Sequence, residues 1–357
     1  MFEEKEVLLE RQGNLGIIKL NRPKKLNTIT KKVVDLISEY LDKLEKDRNT
    51  LAIILEGNGE KAFCAGGDLF SISELFKTEG EKSATDVFAK GYENCLKISN
   101  FSKPIICFMN GIIMGGGVGM SRNSDIRIAT EKTKWAMPET KIGLFPDVGI
   151  GYYLTRMKAN IGIYLGLTGK IIKGNDCLFS GLATVEIDSN MYPHLKNDII
   201  KLLEKPEIKN LNKKQLVKKL KNLSKNYSVP TSQSFLEKNE NEINKFFSKS
   251  SVEEIINTLK EEKNQSKFAK ITLEDMKENS PLSMKIAFEE MRRMKHFPLN
   301  VGYKLDLSIV KQIFKGKNLF EGIRAVIVDK TRDANWEEPT IEDVSDENVK
   351  KYFANSF

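Results

Sequence analysis

The residues best equipped for chemistry fall in two glycine-rich strings and a pair of acids. Met114-Gly115-Gly116-Gly117-Val118-Gly119 follows the apolar run Ile105-Ile106-Cys107-Phe108-Met109. Glycines let a backbone approach a ligand closely, and amides at a helix start favour an anion or a developing oxyanion. Upstream, Phe63-Cys64-Ala65-Gly66-Gly67-Asp68-Leu69 offers a second amide source, in which Asp68 can cap the next helix and leave the Gly67 N–H to face a ligand. Glu139 and Asp147 stand in loops stiffened by Pro138, Gly143, Pro146 and Gly149, so turns rather than solvated helix faces present them near those amides. The plainer reading of the same residues is a glycine-rich turn with two surface acids.

Composition narrows the chemistry. His194 and His296 are the only histidines, and both lie away from the glycine strings, which argues against a histidine triad or a histidine-rich metal site. Acid–base work then falls to carboxylates. Cys64, Cys95, Cys107 and Cys177 sit in apolar contexts without Cys-x-x-Cys spacing, as expected of a reduced intracellular protein without a thiolate zinc site. No run is apolar enough to span a membrane. Met1-Phe2-Glu3-Glu4-Lys5 has neither the apolar stretch of a signal peptide nor the acid-free start of a transit peptide, so the chain reads as cytosolic or as missing a presequence. The net charge of +8 suits acidic partners, whether nucleic acid, anionic lipid or a phosphate-bearing small molecule.

The elements that must carry these residues read as α/β. Val7–Arg11 and Leu15–Leu20 flank Gln12-Gly13-Asn14 as a hairpin, and Thr28 or Thr30 can cap a helix with apolar positions Val33, Ile37, Tyr40, Leu41 and Leu44. Leu51–Leu55, Ile105–Met109, Ile126–Thr130 and Ala183–Ile187 read as strands joined by crossovers, with a helix over 85–100. Composition shifts near residue 199. From Lys201 to Lys225 nine lysines stand against two glutamates with leucines interspersed, which reads first as amphipathic helix with a solvated lysine face, and second as a nucleic-acid or lipid surface. Helical patterns then cover 234–248, 251–262, 271–278, 281–295 and 303–315, with Ser280-Pro281 as a helix start. The expected division is a core of 1–198 holding the site and a mainly helical region of 199–357.

Taken together, Asn21-Arg22-Pro23, Phe63–Asp68, Asn110-Gly111, Met114–Gly117 and Met137-Pro138-Glu139 resemble the crotonase (enoyl-CoA hydratase/isomerase) superfamily. Met114–Gly119, Ala136–Thr140, Ile142–Gly149, Ser280–Lys285 and Glu321–Val326 are most similar to its 3-hydroxyisobutyryl-CoA hydrolase branch, over residues 5 to 345. The resemblance implies a ClpP/crotonase-type spiral of ββα repeats with a helical C-terminal region. It also implies a mitochondrial thioesterase of valine (branched-chain amino acid) degradation acting on a small acyl-CoA. Carried over by position, Gly67 and Gly116 supply the two amides that grip the thioester carbonyl, and Glu139 and Asp147 are the carboxylates. Lys25 and Leu26 cradle adenine, and Ala65, Gly66, Asp68, Gly115 and Tyr92 contact substrate. Arg22, Lys24, Arg324 and Lys330 are candidates for the phosphates, although each reads more simply as an ordinary surface cation or ion-pair partner.

Two positions depart from related patterns. The hydratases carry a second glutamate where this chain has Gly119, which disfavours water addition and fits hydrolysis. Gly91 precedes Tyr92 where the hydrolases usually have Glu. The resemblance implies no cofactor and no metal beyond the CoA of the substrate, no nucleic-acid or membrane partner, and room for a homo-oligomer. The competing expectations are another acyl-CoA hydrolase, a hydratase/isomerase on the same fold, or a non-catalytic RNA- or ribosome-associated relative.

Overall fold

The computed structural model describes residues 5–230 and 232–354. Among the described residues there are ten strands: β1 (Val7–Gln12), β2 (Leu15–Leu20), β3 (Ala52–Gly57), β4 (Ala62–Cys64), β5 (Ile105–Met109), β6 (Ile112–Met114), β7 (Ile126–Thr130), β8 (Lys134–Ala136), β9 (Ile172–Lys173) and β10 (Val185–Ile187). The chain folds as two compact units, each discontinuous in sequence. The first comprises residues 1–68, 90–135 and 172–234; the second comprises 69–89, 136–171 and 235–357.

The first unit is built on a sheet of order β1-β2-β3-β5-β7-β10. The β1–β2 hairpin is antiparallel, and every later pairing is parallel. Near-continuous apolar runs such as Ala52–Leu55 and Ile105–Met109 are what a parallel strand covered on both faces requires. Ile17, Ile54, Ile106, Ile128 and Ile187 pack against Leu195, Ile199, Leu203, Leu216 and Leu220 from the helices Tyr192–Glu204 and Lys213–Lys225. The lysine-rich stretch is therefore an amphipathic cover for the sheet, its leucines inward and most of its lysines exposed.

This placement corrects the expected division at residue 198/199. That boundary falls inside the helix Tyr192–Glu204, and both helices of the lysine-rich stretch belong to the sheet unit, because their leucines complete its core. The helical patterns read downstream are present with shifted ends. The 234–248 stretch is two helices, Phe235–Lys238 and Glu240–Phe247; the next ones run Val252–Glu262, Lys267–Lys277, Pro281–Met294 and Leu299–Ile313. Ser280 caps the 281–294 helix by accepting the Ser283 N–H at 3.2 Å, with Pro281 in its first turn. In this second unit Tyr164 packs its ring 5.2 Å from that of Phe247 and 5.5 Å from that of Phe268.

A second, smaller sheet of order β4-β6-β8-β9 positions the glycine strings. β4 and β6 run parallel, with Ala62 opposite Ile112 and Cys64 opposite Ile113. Gly66-Gly67 and Gly115-Gly116 thus leave neighbouring strands in the same direction. That adjacency is a product of strand pairing.

Candidate functional site

In the first unit three backbone segments converge. Ala65 N–H donates to the Leu26 carbonyl at 3.0 Å, Ile29 N–H to Gly66 at 2.9 Å, and Asp68 N–H to Ile29 at 2.8 Å. Ile29 and Gly67 form a short parallel bridge, which turns the Gly67 N–H away from the 26–29 segment. Gly66 (φ 99°) and Gly115 (φ 49°) lie in left-handed backbone that favours glycine. A Cβ on Gly66 would stand 3.3 Å from the Met114 carbonyl oxygen, which measures how closely the two glycine loops approach. Val118 and Gly119 N–H both donate to the Gly115 carbonyl, at 2.8 and 3.1 Å. Among the described residues no intramolecular acceptor meets the Gly67 or Gly116 N–H.

The 22–28 segment is fixed by a charged clasp. Arg22 donates through Nη1 and Nη2 to Asp68 Oδ2, at 3.2 and 3.1 Å, and through Nη1 to the Thr28 carbonyl at 2.7 Å. Its Nε faces Glu6 Oε2 at 3.4 Å. Leu26 and Asn27 are held at φ 51° and 54°, a strained setting for non-glycine residues that persists where the surroundings over-determine it. Oδ2 of Asp68 is thus engaged by Arg22 and Thr28. Arg22 is an ion-pair residue within the protein, and so is Arg324, bound by Glu321, Asp329 and Asp333. Both guanidinium groups are committed, which leaves the exposed Lys24 and Lys25 as the cations of this loop open to a phosphate.

Cys64 is buried beside the Gly66 amide, which donates to its sulfur at 3.4 Å. Burial pushes its thiol up to about 12, so it stays neutral and is no nucleophile at ordinary pH. Tyr92 is buried on the helix Glu81–Asn100, and a side chain added at the neighbouring Gly91 would meet nothing within 4 Å.

The second unit carries the acids. Glu139 opens a turn of 3-10 helix, Glu139–Ile142, and its carbonyl accepts the Leu144 N–H at 3.0 Å. The next residue, Thr140, accepts the Ser280 N–H at 2.8 Å, which ties the turn to the 281–294 helix. Glu139 is 5% exposed and Asp147 4%, and Glu139 Oε2 has no hydrogen-bond partner among the described residues. Burial first, and the Asp147 charge second, hold the Glu139 carboxyl well above the usual carboxylate range. Perturbation of this kind is typical of groups set for acid–base work. Turns present both acids, as expected, but neither is a surface group.

Two further acids escaped the reading of the sequence. Glu290 and Asp306 are fully buried on the helices Pro281–Met294 and Leu299–Ile313. A signal was available: Glu290 falls at helical spacing between the buried Ile286 and Met294, and Asp306 between Gly302 or Tyr303 and Val310. A charge in phase with an apolar stripe is the informative exception.

A model of the enoyl-CoA hydratase/isomerase family matches residues 15–353. The chain belongs to this family. Its relatives include the mitochondrial 3-hydroxyisobutyryl-CoA hydrolases of Gallus gallus, 39% identical, and Homo sapiens, 38% identical, each match covering 98% of this chain and 88% of the relative. Among solved structures, a carnitinyl-CoA dehydratase from Mycobacterium thermoresistibile superposes with a TM-score of 0.88 at 28% identity, over 98% of this chain and 96% of that one. An enoyl-CoA hydratase from Rhodobacter sphaeroides 2.4.1 gives 0.86 at 28% identity, over 98% and 97%. The expected crotonase fold is therefore the fold of this family member, helical C-terminal region included. At Gly119, where the hydratase pattern has glutamate, the backbone is buried in the helix Gly116–Arg122 and its carbonyl accepts Asn123 Nδ2 at 2.6 Å.

Proposed function

We propose that this chain hydrolyses the thioester of 3-hydroxyisobutyryl-CoA to 3-hydroxyisobutyrate and coenzyme A. The observation that carries the reading is the buried Glu139, whose raised affinity for a proton and unpartnered Oε2 equip it to act on a carbonyl or a water, combined with Gly119 in place of the second hydratase glutamate. The names of the relatives supply the acyl group.

In this reading the Gly67 and Gly116 amides donate to the thioester carbonyl oxygen as it gains charge, each contributing a few kcal/mol. The ionised Glu139 then follows one of two routes. It attacks the carbonyl carbon, expels the CoA thiolate and leaves a mixed anhydride for water to open, or it takes a proton from the water that attacks directly. Either route consumes one water and yields acid and thiol. Asp147 accepts a hydrogen bond from the substrate's 3-hydroxyl. Lys25 and Leu26 cradle the adenine end, while Ala65, Gly66, Asp68, Gly115 and Tyr92 line the path of the acyl-CoA. The reaction needs no cofactor besides the CoA of the substrate, and the mitochondrial setting of the relatives extends to this chain. Free-thiol release from a panel of short acyl-CoAs tests the proposal: preference for 3-hydroxyisobutyryl-CoA supports it. Inertness towards every thioester, together with salt-sensitive RNA binding, overturns it in favour of a non-catalytic relative.

A further inference from the structure

The turn that carries Asp147 is held in an unusual way. Val148 has φ 55° and Gly149 φ 69°, so a β-branched residue occupies left-handed backbone between the acid and the glycine. Such strain persists only where the surroundings enforce it. Ile150 N–H closes the turn onto the Asp147 carbonyl at 3.0 Å, and Gly149 N–H donates to Asp306 Oδ2 at 2.7 Å. Glu290 approaches from the 281–294 helix so closely that a Cβ on Gly151 would overlap both of its carboxyl oxygens. Gly151 is glycine because Glu290 fills that space.

Neither helix acid is accounted for by packing. Both oxygens of Glu290 and Oδ1 of Asp306 are buried with no hydrogen-bond partner among the described residues. An unpaired buried carboxylate is costly, and apolar residues of similar shape would remove that cost. Titratable groups on the elements packed around Glu290 include Glu139, Lys141, Asp147, Tyr152, Tyr153, Tyr164, Tyr303, Asp306, the acids and lysines of the helix Asp346–Lys351, and Glu253, which is paired with Lys285. The charges that act on it most are those of Asp306 and Asp147, both negative. Burial together with those charges holds the Glu290 carboxyl well above the carboxylate range, and burial with Asp147 does the same to Asp306. Glu290 and Asp306 are thus buried beside like charge, which opposes their ionising together with Asp147.

We propose that Glu290 and Asp306 are positioning residues for Asp147: Asp306 pins the strained 147–149 turn through the Gly149 N–H, and Glu290 stands behind it as a protonated, neutral acid. A neutral Glu290 fills the space behind the turn without adding a further negative charge beside Asp147. The inference rests on the role of Asp147 proposed above.

Two measurements test it on the full chain. The infrared difference between wild type and Glu290→Gln at pH 8 should show loss of a protonated-carboxyl carbonyl band; absence of that band overturns the neutral acid, whatever the activity. Asp306→Asn keeps a carbonyl oxygen for the Gly149 N–H, whereas Asp306→Leu offers none. The expected result is kcat within about threefold of wild type for the amide and a loss of at least about tenfold for the leucine, with KM little changed in both. Equal kcat for the two variants overturns the positioning role. Should Asp306→Leu fail to fold, the comparison passes to Asp306→Asn against Asp306→Ser, with the same criterion. Full activity of Asp147→Asn on both hydroxylated and plain thioesters would instead refute the role of Asp147, and the infrared band would be unaffected by that outcome.

Discussion

Glu139→Gln separates a working acid from a structural one, because the two roles predict opposite signs for stability. Glu139 is buried, its Oε2 has no partner among the described residues, and Asp147 adds like charge. The folded protein therefore keeps a proton on Glu139 at pH values where the unfolded chain, with its ordinary value of 4.5, has released it. A folded state that binds the extra proton loses stability as pH rises from the unfolded pKa through the folded one. Below pH 4.5 both states are protonated and the penalty is absent. Glutamine cannot ionise, so the variant should match wild type near pH 4 and exceed it at pH 8. The gain should approach the cost of an unsatisfied buried polar group, about 1–3 kcal/mol. At about 2 °C per kcal/mol for a large chain, the melting temperature at pH 8 should rise by roughly 2–6 °C.

Activity should move the other way, falling at least about a hundredfold, or about 2.7 kcal/mol of transition-state stabilisation, because an amide neither attacks a thioester nor takes a proton from water. Thermal melts at pH 4 and pH 8 and thiol release from 3-hydroxyisobutyryl-CoA provide both readouts. A variant destabilised equally at both pH values, or one that turns over near the wild-type rate, would refute the reasoning.

Asp147→Asn should lower kcat/KM on the hydroxylated thioester and narrow its advantage over isobutyryl-CoA, since a site built to accept the 3-hydroxyl penalises an analogue that lacks it; an unchanged ratio between the two substrates counts against the specificity role. Asp68→Asn removes the charged partner of two Arg22 donors and should cost about 1–3 kcal/mol of stability while raising KM for acyl-CoA, as the 22–28 and 64–68 segments loosen; urea unfolding and steady-state kinetics check the two effects, and an unaltered KM would dissociate the clasp from substrate binding. Thiol release should be undiminished in chelator, because the proposed mechanism moves every proton through carboxylates and amides; loss that added zinc or magnesium restores would contradict it.

Local order made much of this protein legible in its sequence. Alternation and apolar runs located β1, β2, β3, β5 and β7, the serine before Pro281 announced its helix, and the glycine strings with Glu139 and Asp147 marked the family. These features depend on residues close together in the chain, where backbone preference and periodicity act directly. Only tertiary structure decided the rest. The lysine-rich stretch joined the sheet unit because Leu203, Leu216 and Leu220 were needed to cover Ile17, Ile54 and Ile128, a demand set by strands far away in sequence. Arg22 reads from the sequence as a surface cation or ion-pair partner, but its partner Asp68 lies 46 residues onward and only the fold brings the two together. Glu290 and Asp306 stand in phase with apolar stripes, but only the fold buries them around the 147–151 turn, more than a hundred residues upstream, where desolvation and the Asp147 charge, with that of Asp306 for Glu290, change what they are chemically. Residue types state which groups can ionise; the dielectric and the neighbours that decide whether they do exist only once the chain has folded.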